Sequence, residues 1–418
     1  MHGEMLESIS STLATAAKIV RAGPICDECL GRAYAKLGHG LANAERGRAL
    51  RTLLSMHNVR GKSGVCWVCD GAFEHVVELA KRASTMSEGI EFDTYLFGVR
   101  LTPRIMQGEK LYVERFPTDT YEPLKHAFNR EIGKAFETFA GRGTVDFERP
   151  HLSYVIDLSS DRIDLKVSSL YAYGRYRKLV RGIPQTRWPC RVCKGKGCAV
   201  CNYTGKQYPE SVEELIAAPF LEAAGSEKAY LHGAGREDID ARMLGSGRPF
   251  VIEVVSPRVR SLDLAALRER VNKTAAGKVE VSDLHFVSHD TVALVKETHA
   301  EKTYRARVSL AAPVEREKLL VAVSSLIGQI DQRTPHRVAH RRADLVRVRR
   351  LIDAQTKIAS PQEVELTLRG EGGLYIKELV SGDKGRTTPS LSGILGVPAL
   401  VTELDVIDVS APAFPDTV

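Results

Sequence analysis

Hydrophobic positions in the first half of the chain change from helical to alternating spacing near residue 90. The opening stretch MHGEMLESISSTLATAAKIV and the later LANAERGRALRTLLSM have apolar residues at helical spacing. Beyond them, the pattern predicts two regions of strand with a helix between them. These are FDTYLFGVRL, EPLKHAFNREIGKAFETFA and SYVIDLSSDRIDLKVSSLYAYGRY, in chain order. A small helical segment over residues 1–85 is therefore expected to precede a mixed α/β segment over residues 86–186.

The second half begins with a helix and continues with strands in which apolar and polar residues alternate. Ser211 and Glu214 form a capping box that opens the predicted helix SVEELIAAPFLEAAG. The segment TYRARVSL carries its larger apolar side chains on one face, which is typical of a half-buried strand. That face consists of Tyr304, Ala306, Val308 and Leu310, and the other of Arg305, Arg307 and Ser309. We expect an α+β domain on a mainly antiparallel sheet over residues 209–418.

The cysteines predict metal binding. All eight fall in CxxC pairs, which are Cys26 and Cys29, Cys66 and Cys69, Cys190 and Cys193, and Cys198 and Cys201. Without a secretory signal, such pairs favour zinc over disulfides, because two pairs of thiolates complete a tetrahedral site. We predict structural zinc in a module at 1–85 and in a ribbon at 187–208, with shared ligands and a redox dithiol in the ribbon as alternatives.

Composition indicates a soluble globular protein. Hydrophobic residues make up 43% of the chain and charged residues 27%. No apolar run approaches the roughly 18 residues needed to cross a bilayer. The first residues have Glu4 and Glu7 where a signal peptide has a basic start, so they predict an amphipathic helix instead. We expect a cytoplasmic protein that does not bind membranes.

Two basic clusters make RNA the expected partner of a chain whose formal net charge is +7. From Tyr173 to Lys196 there are eight Lys or Arg residues and no acid, and Tyr173, Tyr176 and Trp188 offer rings for stacking on bases. Residues 333–350 contain seven arginines, which suit bidentate phosphate contacts. The alternative for the first cluster is a solvated basic face, and for the second it is a metal-binding or acid/base role of His336 and His340.

An acidic pair among arginines is the candidate for chemistry. Residues 235–250, GREDIDARMLGSGRPF, place Asp238 and Asp240 between Arg236, Arg242 and Arg248. Neighbouring cations keep a carboxylate ionised, which suits a nucleophile beside an anionic substrate. A surface loop with satisfied ion pairs is the alternative interpretation. The glycine patterns of a P-loop and of a dinucleotide fingerprint are missing, so we expect no nucleotide cofactor.

Three separate stretches resemble the motifs of pseudouridine synthases. GREDIDARMLGSGRPF resembles their catalytic aspartate loop, and KTYRARV resembles the strand whose tyrosine stacks on the target uracil. GGLYIKELVSGDKGRTTPSLSGIL resembles the motif in which an aliphatic residue precedes a cation that lies against the aspartate. The chain is most similar to the archaeal and eukaryotic tRNA pseudouridine synthases that act at T-loop positions 54 and 55. That family has a cysteine-rich module and a THUMP RNA-binding domain. The stretch YAYGRYRKLVRGIPQT resembles the end of the THUMP domain.

This resemblance implies roles for individual residues. Asp238 becomes the nucleophile, with Asp240 as the second candidate, and Lys377 the cation that pairs with the acid. Tyr304 would hold the base and relay a proton. The implied substrate-binding residues are Tyr304, Ile376, Leu404, Arg236, Arg248, Arg337 and Arg341. Attack at sugar C1′, attack at uracil C6 and abstraction of a sugar proton all stay open as the route.

The resemblance also implies tRNA as the partner and no cofactor beyond structural zinc. The compact length and the paired cysteines favour an archaeal source. The resemblance gives no sign of an obligate protein partner. The fold class that it implies is a pseudouridine synthase catalytic domain with a zinc-binding, THUMP-like α/β accessory region. The alternatives are a THUMP-type tRNA-binding protein without activity, a thiouridine synthase and a methyltransferase. We find neither the pyrophosphatase-type loop nor the Gly-rich loop that the last two require.

Overall fold

The computed structural model describes residues 2–410 and Phe414, without the side chains of residues 2–8 and Arg341. The chain divides into two compact units, Met1–Ser168 and Ser169–Val418. Both combine helices with a sheet, so the α+β class is confirmed.

The first unit packs its helices and one four-stranded sheet around a single core. Its helices are α1 (His2–Ala22), α2 (Asp27–Gly31), α3 (Asn43–Met56), α4 (Val76–Met86), α5 (Pro103–Arg115) and α6 (Leu124–Ala140). Its strands are β1 (Thr94–Arg100), β2 (Thr144–Val145), β3 (Leu152–Asp157) and β4 (Arg162–Val167), in the spatial order β2-β1-β3-β4. The buried apolar residues between Ala16 and Ile163 form one cluster, which includes Cys29, Cys66 and Cys69. The helical and α/β segments expected from the sequence therefore share one core.

The second unit is built on one ten-stranded sheet. Its strands are β5 (Leu170–Lys178), β6 (Lys228–Gly233), β7 (Ala241–Val255), β8 (Val279–Phe286), β9 (Glu301–Leu310), β10 (Gly328–Arg333), β11 (Val346–Ser360), β12 (Glu363–Gly370), β13 (Thr387–Thr388) and β14 (Ala399–Ser410). Its helices are α7 (Val212–Ala224), α8 (Leu264–Thr274), α9 (Asp290–Glu297), α10 (Arg316–Ser324), α11 (Ile376–Ser381) and α12 (Leu391–Leu395).

The sheet of the second unit is mainly antiparallel, as predicted. The spatial order is β13-β10-β11-β12-β9-β14-β7-β5-β8, with β6 paired to β7. Among the described strands of this sheet, β14 and β7 are the only parallel neighbours. Strand β9 lies at the centre, and its predicted apolar face is buried from Tyr304 to Leu310. The capping box also forms, since the Ser211 side chain accepts a hydrogen bond from the backbone of Glu214 at the start of α7.

One boundary predicted from the sequence is wrong. Residues 169–186 were assigned to the THUMP-like domain, but β5 is an inner strand of the second unit, paired with β7 and β8. Its aromatic residues Tyr173 and Tyr176 are 3% and 0% exposed, so they cannot stack on bases as predicted. Arg175 of β5 is also bound within the protein, because it donates hydrogen bonds to Ser246, Gly247 and Val409.

Candidate active site

A cavity of about 290 Å³ opens in the second unit beside the acidic loop. Its wall contains eight of the nine residues that the sequence placed at the site. These are Arg236, Asp238, Arg248, Tyr304, Arg337, Ile376, Lys377 and Leu404. The side chain of the ninth, Arg341, lies outside the described residues. Three stretches far apart in sequence thus meet at one place.

Sheet register brings these residues together. The parallel pairing of β14 with β7 sets Leu404 opposite Ala241, three residues after Asp238. On the other side of β14, Val406 pairs with Tyr304 of β9. The short helix α11 begins with Ile376 and Lys377, which reach the same cavity.

Asp238 lies between two cations. Arg337 Nη1 donates to Asp238 Oδ1 over 2.9 Å, and Lys377 Nζ lies 3.5 Å from Asp238 Oδ2. The Asp238 side chain is 32% exposed, so it can be reached from the cavity. A carboxylate held this way by two positive charges is stabilised in its ionised form.

Asp240 is placed differently. Lys377 Nζ donates to both of its oxygens, over 2.8 and 2.7 Å. Burial acts to raise the pKa of Asp240, but the hydrogen bond and charge of Lys377 bring it below its ordinary value. The Asp240 side chain is 68% exposed and is not part of the cavity wall. Lys377, predicted as the partner of the catalytic acid, therefore bridges both acids and lies closer to Asp240.

Arg337 is fixed by a second carboxylate. It follows β10 in a short 3-10 helix, and its Nε donates to Glu378 Oε1 over 2.7 Å while its guanidinium lies 5.8 Å from the Tyr375 ring centroid. Burial would lower the pKa of Arg337, but its ion pairs with Glu378 and Asp238 raise it. Arg337, predicted to bind substrate, thus makes contacts with two acids in the structure. Glu378 is 5% exposed and was not predicted from the sequence.

A buried polar network lies beneath the aspartate loop. Glu237, which precedes Asp238, accepts hydrogen bonds from Tyr176 over 2.8 Å and from Arg248 Nε over 2.9 Å. Arg248 also donates to the carbonyl of Ala234 over 2.6 Å. Because Arg248 is 1% exposed and bound to Glu237, it cannot contact a phosphate as predicted. Instead it fixes the loop through Glu237 and the carbonyl of Ala234.

The loop backbone is fixed by the same network. Lys178 Nζ donates to the carbonyls of Asp238 and Ile239 over 3.1 and 3.2 Å, and its side chain is fully buried. Gln185 donates to the carbonyl of Gly235 over 3.0 Å. Buried donors therefore hold the backbone that carries Asp238, which is how an active site keeps a reactive group in place.

Glu237→Gln tests this network. We expect the free energy of unfolding to fall by about 3 kcal/mol, because the variant leaves the buried Arg248 without a counter-charge. The control is Glu280→Gln, which removes a half-exposed ion pair with Arg177 and should cost less than about 1 kcal/mol. Urea titrations followed by circular dichroism measure both losses. Equal losses in the two variants would contradict a structural role for the buried pair.

Tyr304 is part of the same cavity wall as Asp238. It is 8% exposed, and burial raises its pKa to about 12, with Arg248 lowering it and Asp238 raising it. The hydroxyl is therefore protonated at neutral pH. The apolar part of the wall beside it comes from Ile376 and Leu404, which are 3% and 7% exposed.

The other two arginines of the loop have separate environments. Arg236 is exposed, with its guanidinium 5.9 Å from the Trp188 ring centroid. Arg242 lies outside the cavity wall and pairs with the buried Asp405 through two bonds of 2.9 and 2.8 Å. Arg242 flanks the acidic pair in sequence, but in the structure its side chain is directed toward Asp405 of β14.

Each set of four cysteines forms a cluster that could hold a metal ion. One consists of Cys26, Cys29, Cys66 and Cys69, and the other of Cys190, Cys193, Cys198 and Cys201. In each cluster the sulfurs lie within 4.8 Å of one another, so the sets do not share ligands. Measured sulfur pairs are 3.7 to 3.9 Å apart. A tetrahedron with metal–sulfur bonds of about 2.3 Å requires about 3.8 Å, so the donor set fits zinc.

Two family models match the chain. One, described as "Pus10, C-terminal", covers residues 171–410, and the other, "Pus10 THUMP domain, archaeal", covers residues 79–157. The first of these ranges includes β5, in agreement with its place in the sheet of the second unit.

Similar proteins over nearly the full length are named tRNA pseudouridine synthase Pus10. The protein of Methanothrix thermoacetophila is 47% identical, covering 96% of this chain and 95% of its own. That of Halorubrum lacusprofundi is 47% identical over 95% and 96%, and that of Pyrococcus furiosus is 39% identical over 95% and 97%. One chain of a solved structure, "Crystal Structure of a Cbf5-Nop10-Gar1 Complex", is similar over 47% of this chain and 45% of its own length, at 18% identity and with a TM-score of 0.31.

Among the described helices, none combines the length and the apolar character that crossing a bilayer requires.

Proposed function

The chain belongs to the Pus10 family of tRNA pseudouridine synthases, and from this premise we propose that it isomerises uridines 54 and 55 of the tRNA T-loop with Asp238 as the nucleophile. The cavity beside Asp238 is the proposed pocket for the extruded uracil. Its volume of about 290 Å³ is at the lower end for ligand pockets, which suits a single nucleotide.

One observation carries the choice between the two acids. Asp238 is part of the cavity wall together with Tyr304, Ile376 and Leu404, whereas Asp240 is not. A nucleophile must approach the reacting atom to within about 3 to 3.5 Å, so it has to face the pocket. In this proposal Asp240 acts through Lys377, which it helps to hold in place.

The surrounding residues support each step of the proposed reaction. Arg337 and Lys377 keep Asp238 ionised for attack at C1′, attack at C6 or removal of a sugar proton. Tyr304 lies against the face of the extruded base, and its protonated hydroxyl can supply a late proton. Ile376 and Leu404 keep the detached uracil from escaping before it turns and rejoins through C5.

The rest of the chain is proposed to bind the substrate. The THUMP-matched region, residues 79–157, and the module before it would recognise the shape of tRNA, with contacts near the acceptor end. Zinc in the two cysteine clusters would have a structural role, because four thiolates leave no open coordination position for a substrate. The tRNA substrate and the zinc-binding thiolates both fit a cytoplasmic protein.

Release of tritium from tRNA labelled at uracil C5 tests the proposed function. Isomerisation breaks the N1–C1′ bond, forms a C5–C1′ bond and sends the C5 hydrogen to solvent. We expect two equivalents of tritium from a transcript with uridines at 54 and 55, and one when either is replaced by cytidine. A transcript with both replaced is the control and should release none. Tight tRNA binding without release would instead identify a binding protein without activity.

A further inference from the structure

Lys302 occupies an unexplained position in the cavity. It lies two residues before Tyr304 on the same face of β9, and its half-buried side chain is part of the cavity wall. Its Nζ approaches the aspartate loop closely, since a Cβ added at Gly235 would lie 3.3 Å from it. The loop thus leaves room for this ammonium group, and Gly235, with φ +77°, is well suited to provide it.

Among the described residues, the charge of Lys302 has no ion-pair partner, whereas three other cations of the cavity wall do. Arg248 is bound to Glu237, Arg337 to Asp238 and Glu378, and Lys377 to Asp240. Within the described part of the chain, Lys302 Nζ has neither a hydrogen-bond acceptor nor an ion-pair partner. Burial and the charge of Arg248 lower the pKa of Lys302 to about 8, although Glu237 raises it. An amine that is partly withdrawn from water and has no acceptor is stabilised when the pocket receives one.

We propose that Lys302 is a further catalytic residue, which donates a hydrogen bond to a carbonyl oxygen of the extruded uracil and stabilises negative charge on the base. The proposal rests on the isomerase function and on the cavity as its uracil pocket. When the N1–C1′ bond breaks, its electron pair stays on the base and spreads from N1 to the carbonyl oxygens. Attack at C6 also places negative charge on a carbonyl oxygen. In every route Lys302 keeps its proton and serves as an electrostatic partner, as donors do in an oxyanion hole.

The position of Lys302 separates it from the residues that hold Asp238. Arg337 and Lys377 contact the carboxylate from the side of α11 and the 3-10 helix, whereas Lys302 lies on β9 beside Tyr304. One group of cations therefore serves the nucleophile, and Lys302 serves the departing base.

Single-turnover kinetics with Lys302→Met test the proposal. At saturating enzyme, we expect the rate of tritium release to fall about 100-fold, the range for loss of one oxyanion donor, while the Kd for tRNA changes less than about threefold. Lys302→Arg, which keeps a cation and guards against a folding defect, should retain at least about a tenth of the rate. The control is Lys273→Met on α8, exposed and outside the cavity wall, with an unchanged rate.

A second readout separates stabilisation of the base from a structural role. A tRNA with 5-fluorouridine at the target positions has a better leaving group, because fluorine withdraws charge from the base. Because C5 carries fluorine and no hydrogen, the rearranged base keeps its fluorine and takes up water at C6, and this product is measured by nuclease digestion and mass spectrometry. The loss caused by Lys302→Met should be at least about tenfold smaller than with uridine, because an oxyanion donor matters less when less charge needs support. Equal losses with both substrates would overturn the proposal.

Two further outcomes are decisive. A weaker Kd with an unchanged saturated rate would assign Lys302 to a backbone phosphate and overturn the proposal. Wild-type protein that releases no tritium would refute the isomerase function itself, whereas active wild type with equally active Lys302→Met would refute only the role of Lys302.

Discussion

Asp238→Asn is expected to remove isomerisation while the fold and tRNA binding persist. The amide has almost the same shape, but it cannot act as a nucleophile and carries no charge for Arg337 and Lys377 to stabilise. Arg337 stays in place because Glu378 still holds it. We expect the single-turnover rate of tritium release to fall by roughly 10⁴-fold or more, as when other enzymes lose their nucleophile. The Kd for tRNA should change less than about tenfold, since one charge of many is altered.

Asp240→Asn is the matched control for this substitution. Asp240 is two residues away, exposed and outside the cavity wall, so its loss should reduce the rate by less than about tenfold through Lys377. The reverse pattern, with an active Asp238→Asn and an inactive Asp240→Asn, would assign the chemistry to Asp240.

Removal of metal is expected to unfold the first unit and to leave the second unit folded. Cys29, Cys66 and Cys69 lie within the core of the first unit, and the metal would join segments separated by a long gap in sequence. Structural zinc contributes roughly 10 to 16 kcal/mol in small zinc domains, which is comparable to the whole stability of a domain, about 5 to 15 kcal/mol. An excess of chelator, followed by circular dichroism and zinc content, measures the effect.

The two clusters allow a comparison within one protein. Cys66→Ser should destabilise the first unit strongly, whereas Cys198→Ser in the more exposed ribbon should lower the melting temperature by only a few degrees, about the effect of 1 kcal/mol. Trp67 fluorescence in a Trp188→Phe background reports the first unit. If the metal-free protein unfolds at the same temperature, as followed by Trp67 fluorescence, the core of the first unit does not depend on zinc.

Local pattern predicted the strands and helices whose burial follows from their own sequence. Alternation gave β9 and the inward direction of Tyr304, and the capping box gave the start of α7. Strand β5 was placed in the wrong domain, because its residues become buried only through partners distant in the chain. Tyr176 is satisfied by Glu237, 61 residues later, and Arg175 by the carbonyl of Val409, 234 residues later. The spacing of apolar residues along one segment does not indicate a partner so far away in the sequence.

The site was predicted as a set of residues rather than as a set of contacts. Motif resemblance named Asp238, Tyr304 and Lys377, which do line one cavity. The ion pair between Asp238 and Arg337 joins residues 99 apart, so an arginine cluster offers no way to choose its member in advance. One residue could have indicated this contact. Glu378 is an acid directly after Lys377, and no other role was predicted for it from the sequence.

Strand β14 has a consequence for the order in which the protein folds. It lies between β9 and β7, so the strand that carries Tyr304 and the strand that follows Asp238 are joined through it. Both β7 and β9 are synthesised long before β14, yet neither pairs directly with the other. Pairings over such long separations are slow to form. Asp238, the proposed nucleophile, and Tyr304, the proposed base-stacking residue, are therefore joined through the sheet only once β14 has paired, and we expect a nascent chain that lacks β14 to have no assembled cavity.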